Sequence, residues 1–271
     1  MCHRPQGIHR RTTVLTITTY ERLAMTTKQN LPTMKALHII TPVKDSIDST
    51  IETMEAVIAS EIDVPHTYTI YNDFSTPENT ERLHREAERL GVKVIDLADL
   101  TDHPSPNYLL VLRRCQKEAL AADAGLLIVE SDVTVKTDTL QGLWDGATAR
   151  PDCGIAASVT IDRDEQINYP YLYAKGWGGR IIDCKKHCSF CCSLLTPTLL
   201  KAFDFESLDD TKNWFDVTIS HESLNAGLHN YLFCNLPAYH RPHASRPWKQ
   251  LKYTNPLKYY WIKWTKGFDK I

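Results

Sequence analysis

Glu130-Ser131-Asp132 closes the stretch LLIVESDV, residues 126 to 133, where four apolar residues run straight into two carboxylates. Two acids one residue apart on an extended tip point in different directions. One can then meet a metal ion while the other reaches a ligand or a metal-bound water. Mg²⁺ and Mn²⁺ take oxygen ligands, and Mg²⁺ is usually held by one or two carboxylates together with substrate phosphates. Alone, E-x-D fits a solvated turn capping the next helix equally well. A second run, IYNDFSTPEN, also ends in a polar pair, Asn72 and Asp73, before a turn. Asp73 beside Thr41 and Pro42 would form a crevice suited to a nucleoside. The chain has no Walker-type or G-x-G-x-x-G loop to cradle phosphates, so phosphates bound there need a metal, which favours Asp132 as its seat.

These groups must be carried by the elements around them, and from residue 35 the signals alternate. ALHIITPV reads as a strand, followed by Ile47, Ile51, Met54 and Ile58 at helical spacing with Asp48 and Ser49 as caps. HTYTIYND is a β-rich strand. Thr76 as N-cap with Pro77 at the first position starts a helix that Gly91 ends, with Leu83, Ala87 and Leu90 facing inward. VKVIDL is a third strand, NYLLVLRRCQKEALAAD a third helix, and the opening stretch a fourth strand. A short helix over 138–147 and a strand GIAASV follow. Alternation of this kind predicts an α/β fold, a mostly parallel sheet covered by helices on both faces. Ligands in such sheets bind beyond the C-terminal strand ends, where Glu130 and Asp132 lie.

Taken together, these segments resemble the family 2 glycosyltransferases of GT-A fold. HIITPVKDS is similar to the family's first strand, and IYNDFST to its V-D-D-G-S-T nucleotide turn. RRCQKEALAADAGLLIVESD resembles the R-N-x-G…A-x-G…D-x-D stretch, with Glu130-Ser131-Asp132 in the D-x-D position. WFDVTISHESLNAGLHNYLFCNLPAYH resembles the run E-D-V-D-L…R…A-G…P…H. The resemblance spans roughly residues 35 to 245. It implies a Rossmann-like catalytic domain over 34–245. Nucleotide contacts fall to Thr41, Pro42, Asp45, Asp73, Ser75, Arg114 and Ser131. Mn²⁺ or Mg²⁺ is implied on Glu130, Asp132 and His240, with Asp216 as general base. The implied reaction moves a sugar from a nucleotide-sugar donor to a glycan or lipid-linked acceptor hydroxyl, with inversion. The departures are specific. Phe74 replaces the turn glycine, Cys115 follows the arginine in place of asparagine, and Glu130 is the first D-x-D acid. Phe215 precedes the base where the family has glutamate, and Glu222 stands for an arginine.

Other readings remain open on the residues. Asp216 also fits the start of a helix ahead of Val217 and Ile219, and His243 is a reserve for His240. Cys184, His187, Cys188, Cys191 and Cys192 crowd the segment DCKKHCSFCCSLL. A structural zinc site normally draws on two separated pairs, and FCCSLL reads as a core strand, so these thiols are expected to be packed and metal-free. Tyr173 and Trp177 belong either to an acceptor loop or to an ordinary packed one. A sugar nucleotidylyltransferase is the alternative enzyme, although TPVKDSID lacks its glycine-rich basic loop. A non-catalytic metal-binding scaffold built on the cysteines is the alternative outside enzymes.

The bulk properties set the frame. The chain has 271 residues, 42% apolar and 24% charged, with net charge −2 and pI about 6.6. That is ordinary for a globular protein, and no global basic field argues for nucleic acid. Eight cysteines without an export signal point to reduced thiols and a cytoplasmic location. Residues 1–33 hold five basic residues against Glu21 and read as a disordered leader or a mis-assigned start, with a transit peptide as the alternative. The tail 246–271 holds seven basic residues, one acid and seven aromatics. Leu257, Tyr260, Trp261, Trp264 and Phe268 would share a helix face opposite Lys263, Lys266 and Lys270. This predicts either a peripheral contact with an anionic inner leaflet or a helix folded back on the domain.

Overall fold

The computed structural model of the protein describes residues 34–212, 214–241, 251 and 255–265. The expected leader lies outside them, as do His243, Lys266, Phe268 and Lys270.

Four strands, β1 (Ala36–Val43), β2 (His66–Asn72), β3 (Lys93–Asp96) and β4 (Ala124–Val129), form a parallel half-sheet in the order β3-β2-β1-β4. The linking helices are α1 (Ile47–Ile58), α2 (Pro77–Leu90) and α3 (Tyr108–Ala121). Residues alternate across each strand, so the two faces bury different sets. Val43 and Ile70 pack with Met54, Leu83 and Ala87 of α1 and α2, while Ile40, Leu126 and Ile128 pack with Leu112 and Cys115 of α3. Helices therefore cover both faces, as the alternating pattern requires.

Local chemistry sets the helix ends. Thr76 Oγ1 accepts from Asn79 N at 3.4 Å, Pro77 opens α2, and Gly91 closes it at φ +67°. α1 departs from expectation: Ser46 precedes it, and its carbonyl accepts from Thr50 N at 2.9 Å and Thr50 Oγ1 at 2.7 Å. Asp48 instead sits in the first turn, where a negative charge favours the helix N-terminus. Ser49 donates its hydroxyl back to the Ser46 carbonyl at 3.0 Å. Ile58, the last of the apolar series, is exposed at the helix end.

Beyond β4 the sheet becomes mixed. β5 (Val133–Thr134), α4 (Thr139–Thr148), β6 (Cys153–Ile161), β7 (Ile181–Asp183), β8 (Cys192–Leu195), α5 (Pro197–Ala202), α6 (Phe215–Asn225) and β9 (His229–His240) follow in order. β8 runs antiparallel between β4 and β6, and β9 lies parallel to β6. The end of β9 turns back against β5, pairing Val133 with His240 and Thr134 with Tyr239. α7 (Pro256–Thr265) is the last described element, and no described helix is long and apolar enough to cross a membrane.

One consequence positions the site. β1 has β2 on one side and β4 on the other, so the connections leaving β1 and β4 diverge. In open α/β sheets the C-terminal ends of two such strands flank the crevice where ligands bind.

Candidate active site

The β4–β5 turn is tight. Glu130 N donates to the Cys191 carbonyl at 2.9 Å, and Val133 N donates back to the Glu130 carbonyl at 3.0 Å. Arg241 N donates to the Asp132 carbonyl at 3.0 Å, tying the turn to the end of β9. Together with the Val133–His240 pairing, this seats His240 Nε2 3.4 Å from Asp132 Oδ2, with both side chains about 5% exposed. The other ring nitrogen is held at 2.8 Å by the Tyr169 carbonyl. Since a carbonyl only accepts, Nδ1 carries the proton and Nε2 faces the carboxylates.

The electrostatics follow from crowding. Burial, and then the charge of Asp132, push the Glu130 carboxyl up to about 7, although His240 and a hydrogen bond with Cys191 pull it down. Burial favours the neutral form of His240, but its hydrogen bond with Asp132 and the charges of Asp132 and Glu130 prevail, raising its pKa above 6.5. The buried Asp132, the half-buried Glu130 and an imidazole that takes up a proton to balance them make a cluster seeking positive charge. Donor atoms of Glu130, Cys191 and His240 lie within 4.8 Å of one another. Carboxylate oxygens and an imidazole held by a carbonyl on its far nitrogen are the donor set and outer support a divalent cation needs. A cation there would take the place of the His240 proton. Cys191, read from the sequence as a packed thiol, joins the cluster because the β4–β8 register turns its backbone toward Glu130.

Asp216 lies in the first turn of α6, half-buried, with Oδ1 accepting from Val217 N at 2.9 Å. Its charge acts on Glu130, and both carboxylates act on the Tyr108 hydroxyl, whose pKa is raised well above normal by burial and then by these two acids. Tyr108 Oη is buried without a hydrogen-bond partner. Tyr108 opens α3 and its ring packs against Phe215, 6.3 Å between centroids. An aromatic at a helix start carries no sequence signal of such an environment.

The expected nucleotide residues fall into distinct environments. Asp45 and Ser75 interlock two turns. Ser75 Oγ accepts from Asp45 N at 2.9 Å, and Asp45 Oδ1 accepts from Thr76 N at 2.6 Å and Asn79 Nδ2 at 3.2 Å. Asp73 is 9% exposed; Oδ2 accepts from Ser105 Oγ at 2.7 Å and Asn107 N at 2.8 Å, and Oδ1 from Asn107 Nδ2 at 2.8 Å. It thus anchors the 103–107 loop beside the crevice, a role the sequence did not suggest. Phe74, at the position of the family's glycine, has φ +56°, the left-handed backbone that a glycine adopts without cost. Thr41 is fully buried with its hydroxyl 3.0 Å from Tyr68 Oη, and Pro42 beside it is half-buried. Ser131 is buried within the β4–β5 turn. Arg114 lies inside α3 and ion-pairs with Glu118 one turn on, Nε to Oε1 2.8 Å.

The cysteine-rich segment is largely interior. Cys184, Cys188, Cys191 and Cys192 are all buried, Cys192 opening β8. The Cys184 thiol is lowered to about 6 by a hydrogen bond from Cys188 and, against burial, by one from Tyr173, whose Oη lies 3.3 Å away. Trp177 remains 37% exposed with Tyr173 edge-on at 6.2 Å.

No protein-family model matches the chain, and no curated protein matches it in sequence. Solved structures do. A mannosyltransferase from Pyrobaculum calidifontis, PcManGT, in complex with GDP-Man and Mn²⁺, has TM-score 0.57 and 15% identity over 90% of this chain and 70% of its own. S. aureus TarS (residues 1–349) in complex with UDP-GlcNAc has TM-score 0.57 and 13% identity over 78% of this chain. Another structure of TarS 1–349 has TM-score 0.51 and 14% identity over 77%. The chain spans 59% of the TarS 1–349 chains. At these identities the shared property is the fold: the chain has the GT-A-like architecture of these glycosyltransferases.

Proposed function

We propose that the protein is a metal-dependent, inverting glycosyltransferase that moves a sugar from a nucleotide-sugar donor to an acceptor hydroxyl. The observation that carries this reading is the meeting of Asp132 and His240, with Glu130 beside them, at the divergence of β1 and β4. A binding site for a nucleoside diphosphate without a glycine-rich loop needs a divalent cation, and this cluster has the donors for one.

In this reading Asp132, His240 and Glu130 hold Mn²⁺ or Mg²⁺. A bound divalent cation supplies positive charge that stabilises the departing diphosphate. The likeness to structures carrying GDP-Man with Mn²⁺ and UDP-GlcNAc supports a nucleotide-sugar as donor. The interlocked Asp45–Ser75 turns and the Asp73-anchored loop form the wall for the nucleoside, with Thr41 and Pro42 at its base. Ser131 joins this nucleotide set, while Arg114 is held by Glu118 within α3. Asp216 takes the proton from the acceptor hydroxyl as its oxygen forms the bond to the anomeric carbon opposite the leaving group. That step inverts the anomeric centre, and general-base help of this kind is worth about 10²–10⁴-fold. Tyr108, whose hydroxyl feels the charges of Glu130 and Asp216, donates to the substrate when one is bound.

The acceptor is a glycan or a lipid-linked sugar in polysaccharide or lipopolysaccharide assembly, met at the inner face of a membrane. Support for the membrane comes from α7, where Leu257 is 86%, Trp261 64% and Trp264 86% exposed, with Tyr260 beside them. Large aromatics and nearby lysines suit an anionic interface. The deciding experiment for the whole reading is a product assay with a panel of nucleotide-sugars and Mn²⁺. Release of nucleoside diphosphate and glycosylated acceptor, lost in Asp216→Asn, is the expected result; no turnover on any donor overturns it.

A further inference from the structure

A second cluster of ligating side chains sits on the α3 face of the sheet, well away from the crevice. His38 pairs with Leu126 in the β1–β4 register, four residues ahead of Glu130, or ~13 Å along the strand. Its ring lies under α3, where Cys115 and Glu118 stand one turn apart. His38 Nε2, Cys115 Sγ and a Glu118 oxygen lie within 4.8 Å of one another. We propose that His38, Cys115 and Glu118 form an open zinc site between β1 and α3, with three protein ligands and a water in the fourth position.

Several observations point the same way. His38 Nε2 is buried without a hydrogen-bond partner, yet it lies 3.3 Å from Glu118 Oε2. Zn–N and Zn–O bonds of ~2.1 Å at a tetrahedral angle separate the two donors by ~3.4 Å, so the spacing already matches one edge of the coordination shell. Each outer atom is also engaged. His38 Nδ1 lies 2.9 Å from Thr67 Oγ1, which fixes the ring, and Arg114 Nε lies 2.8 Å from the second Glu118 oxygen. Metal-bound histidines and carboxylates are held by such outer partners. The Tyr71 hydroxyl reaches Glu118 Oε2 at 3.3 Å.

The charges balance. A neutral imidazole offers its lone pair to the ion, and Cys115 binds as a thiolate, releasing one proton. Zinc with one thiolate and one carboxylate is neutral as a unit, leaving Arg114 paired to the carboxylate as before. A soft sulfur beside imidazole and carboxylate selects zinc over Mg²⁺ or Mn²⁺. His38 is 14% and Glu118 36% exposed at the side chain, which provides an entry path and room for a water as fourth ligand.

Cobalt(II) is the test ion, because thiolate ligation gives a charge-transfer band in the near ultraviolet. Full-length protein titrated with Co²⁺ in excess Mg²⁺ is expected to show this band. Cys115→Ala abolishes it while Cys191→Ala, at the other cluster, retains it. A band lost in Cys191→Ala but kept in Cys115→Ala, or no band at all, overturns the assignment. Since Cys115 is a core residue, His38→Gln gives an independent arm. Zn²⁺ raises the melting temperature of the wild type and binds at least about tenfold more weakly to His38→Gln. An equal zinc shift in both proteins also overturns it.

Discussion

Asp132 Oδ2 and His240 Nε2 lie 3.4 Å apart, although one follows β4 and the other ends β9, the last strand of the sheet. The contact exists because the last strand, β9, folds its end onto the two-residue β5 that follows the acidic turn. Neither residue alone makes a metal site. Together, with Glu130 pushed up to about 7 by burial and by Asp132, they supply the donors for the cation proposed above.

Removing that pair should uncouple nucleotide from metal. The expected result is that Mn²⁺ with GDP or UDP raises the melting temperature of the wild type, while Asp132→Ala loses the joint effect and His240→Ala reduces it. Thermal shift with metal and nucleotide added separately and together checks this. A full joint shift in Asp132→Ala contradicts the site.

Asp216→Asn keeps the size of the side chain but cannot accept the acceptor's proton. Donor binding should survive unchanged, and turnover should fall by about 10²–10⁴-fold. Single-turnover product formation beside an equilibrium nucleotide titration separates the two effects. Turnover at the wild-type rate would move the base elsewhere.

Tyr108 offers the opposite balance between stability and activity. Its hydroxyl is buried without a partner beside two acids. Tyr108→Phe therefore removes an unsatisfied polar group, and stability should hold or rise by about 1 kcal/mol. Loss of the hydrogen bond to substrate should slow transfer by about tenfold. Calorimetry and initial rates on the same variant test both halves.

The Asp45 carboxylate gives a pH signature. The Thr76 backbone N–H, followed by Asn79 and Lys44, holds its pKa below 3.8 against burial. A carboxyl lowered in the folded state binds fewer protons there than in the unfolded chain. Its contribution is complete above pH 3.8 and is lost as pH falls through the lower folded value. Asp45→Asn should cost about 1 kcal/mol or less at neutral pH, since the turn is exposed. The variant should also flatten the acid limb of a melting-temperature profile from pH 5 to pH 2.

At α7, Trp261→Ser with Trp264→Ser should leave the melting temperature unchanged, because both rings are exposed. Binding to vesicles containing anionic lipid should drop by about tenfold for each 1.4 kcal/mol of lost burial. Co-sedimentation measures this, and equal binding of variant and wild type removes the membrane from the proposal.

Much of the framework was legible in order along the chain. Thr76, Pro77 and Gly91 announce α2 because capping is decided by a residue and its immediate neighbours. The apolar run of β4 announces a buried strand because all six of its residues are enclosed. Phe74 was not legible in this way, since a phenylalanine gives no sign of the left-handed backbone found there. The cap of α1 was misplaced because Ser46, Asp48 and Ser49 are all competent near a helix start, and the carbonyl that closes the first turn carries no residue signature.

The site was legible in its ingredients and not in its assembly. The residue types of Glu130, Asp132, Asp216 and His240, together with their spacing, offered the oxygen and nitrogen donors and the carboxylate on which the proposed reading rests. The sequence could not say that Asp73 is drawn into holding Ser105 and Asn107, that Cys191 turns to the acids, or that the Tyr108 hydroxyl falls within the field of Glu130 and Asp216. Those relations depend on register between distant strands and on which face of a helix meets the sheet. Periodicity and capping act over three to four residues, so the sequence determined the elements and their chemistry. The closing of β9 onto β5, which makes neighbours of residues remote along the chain, is a long-range packing outcome that the tertiary structure alone decided.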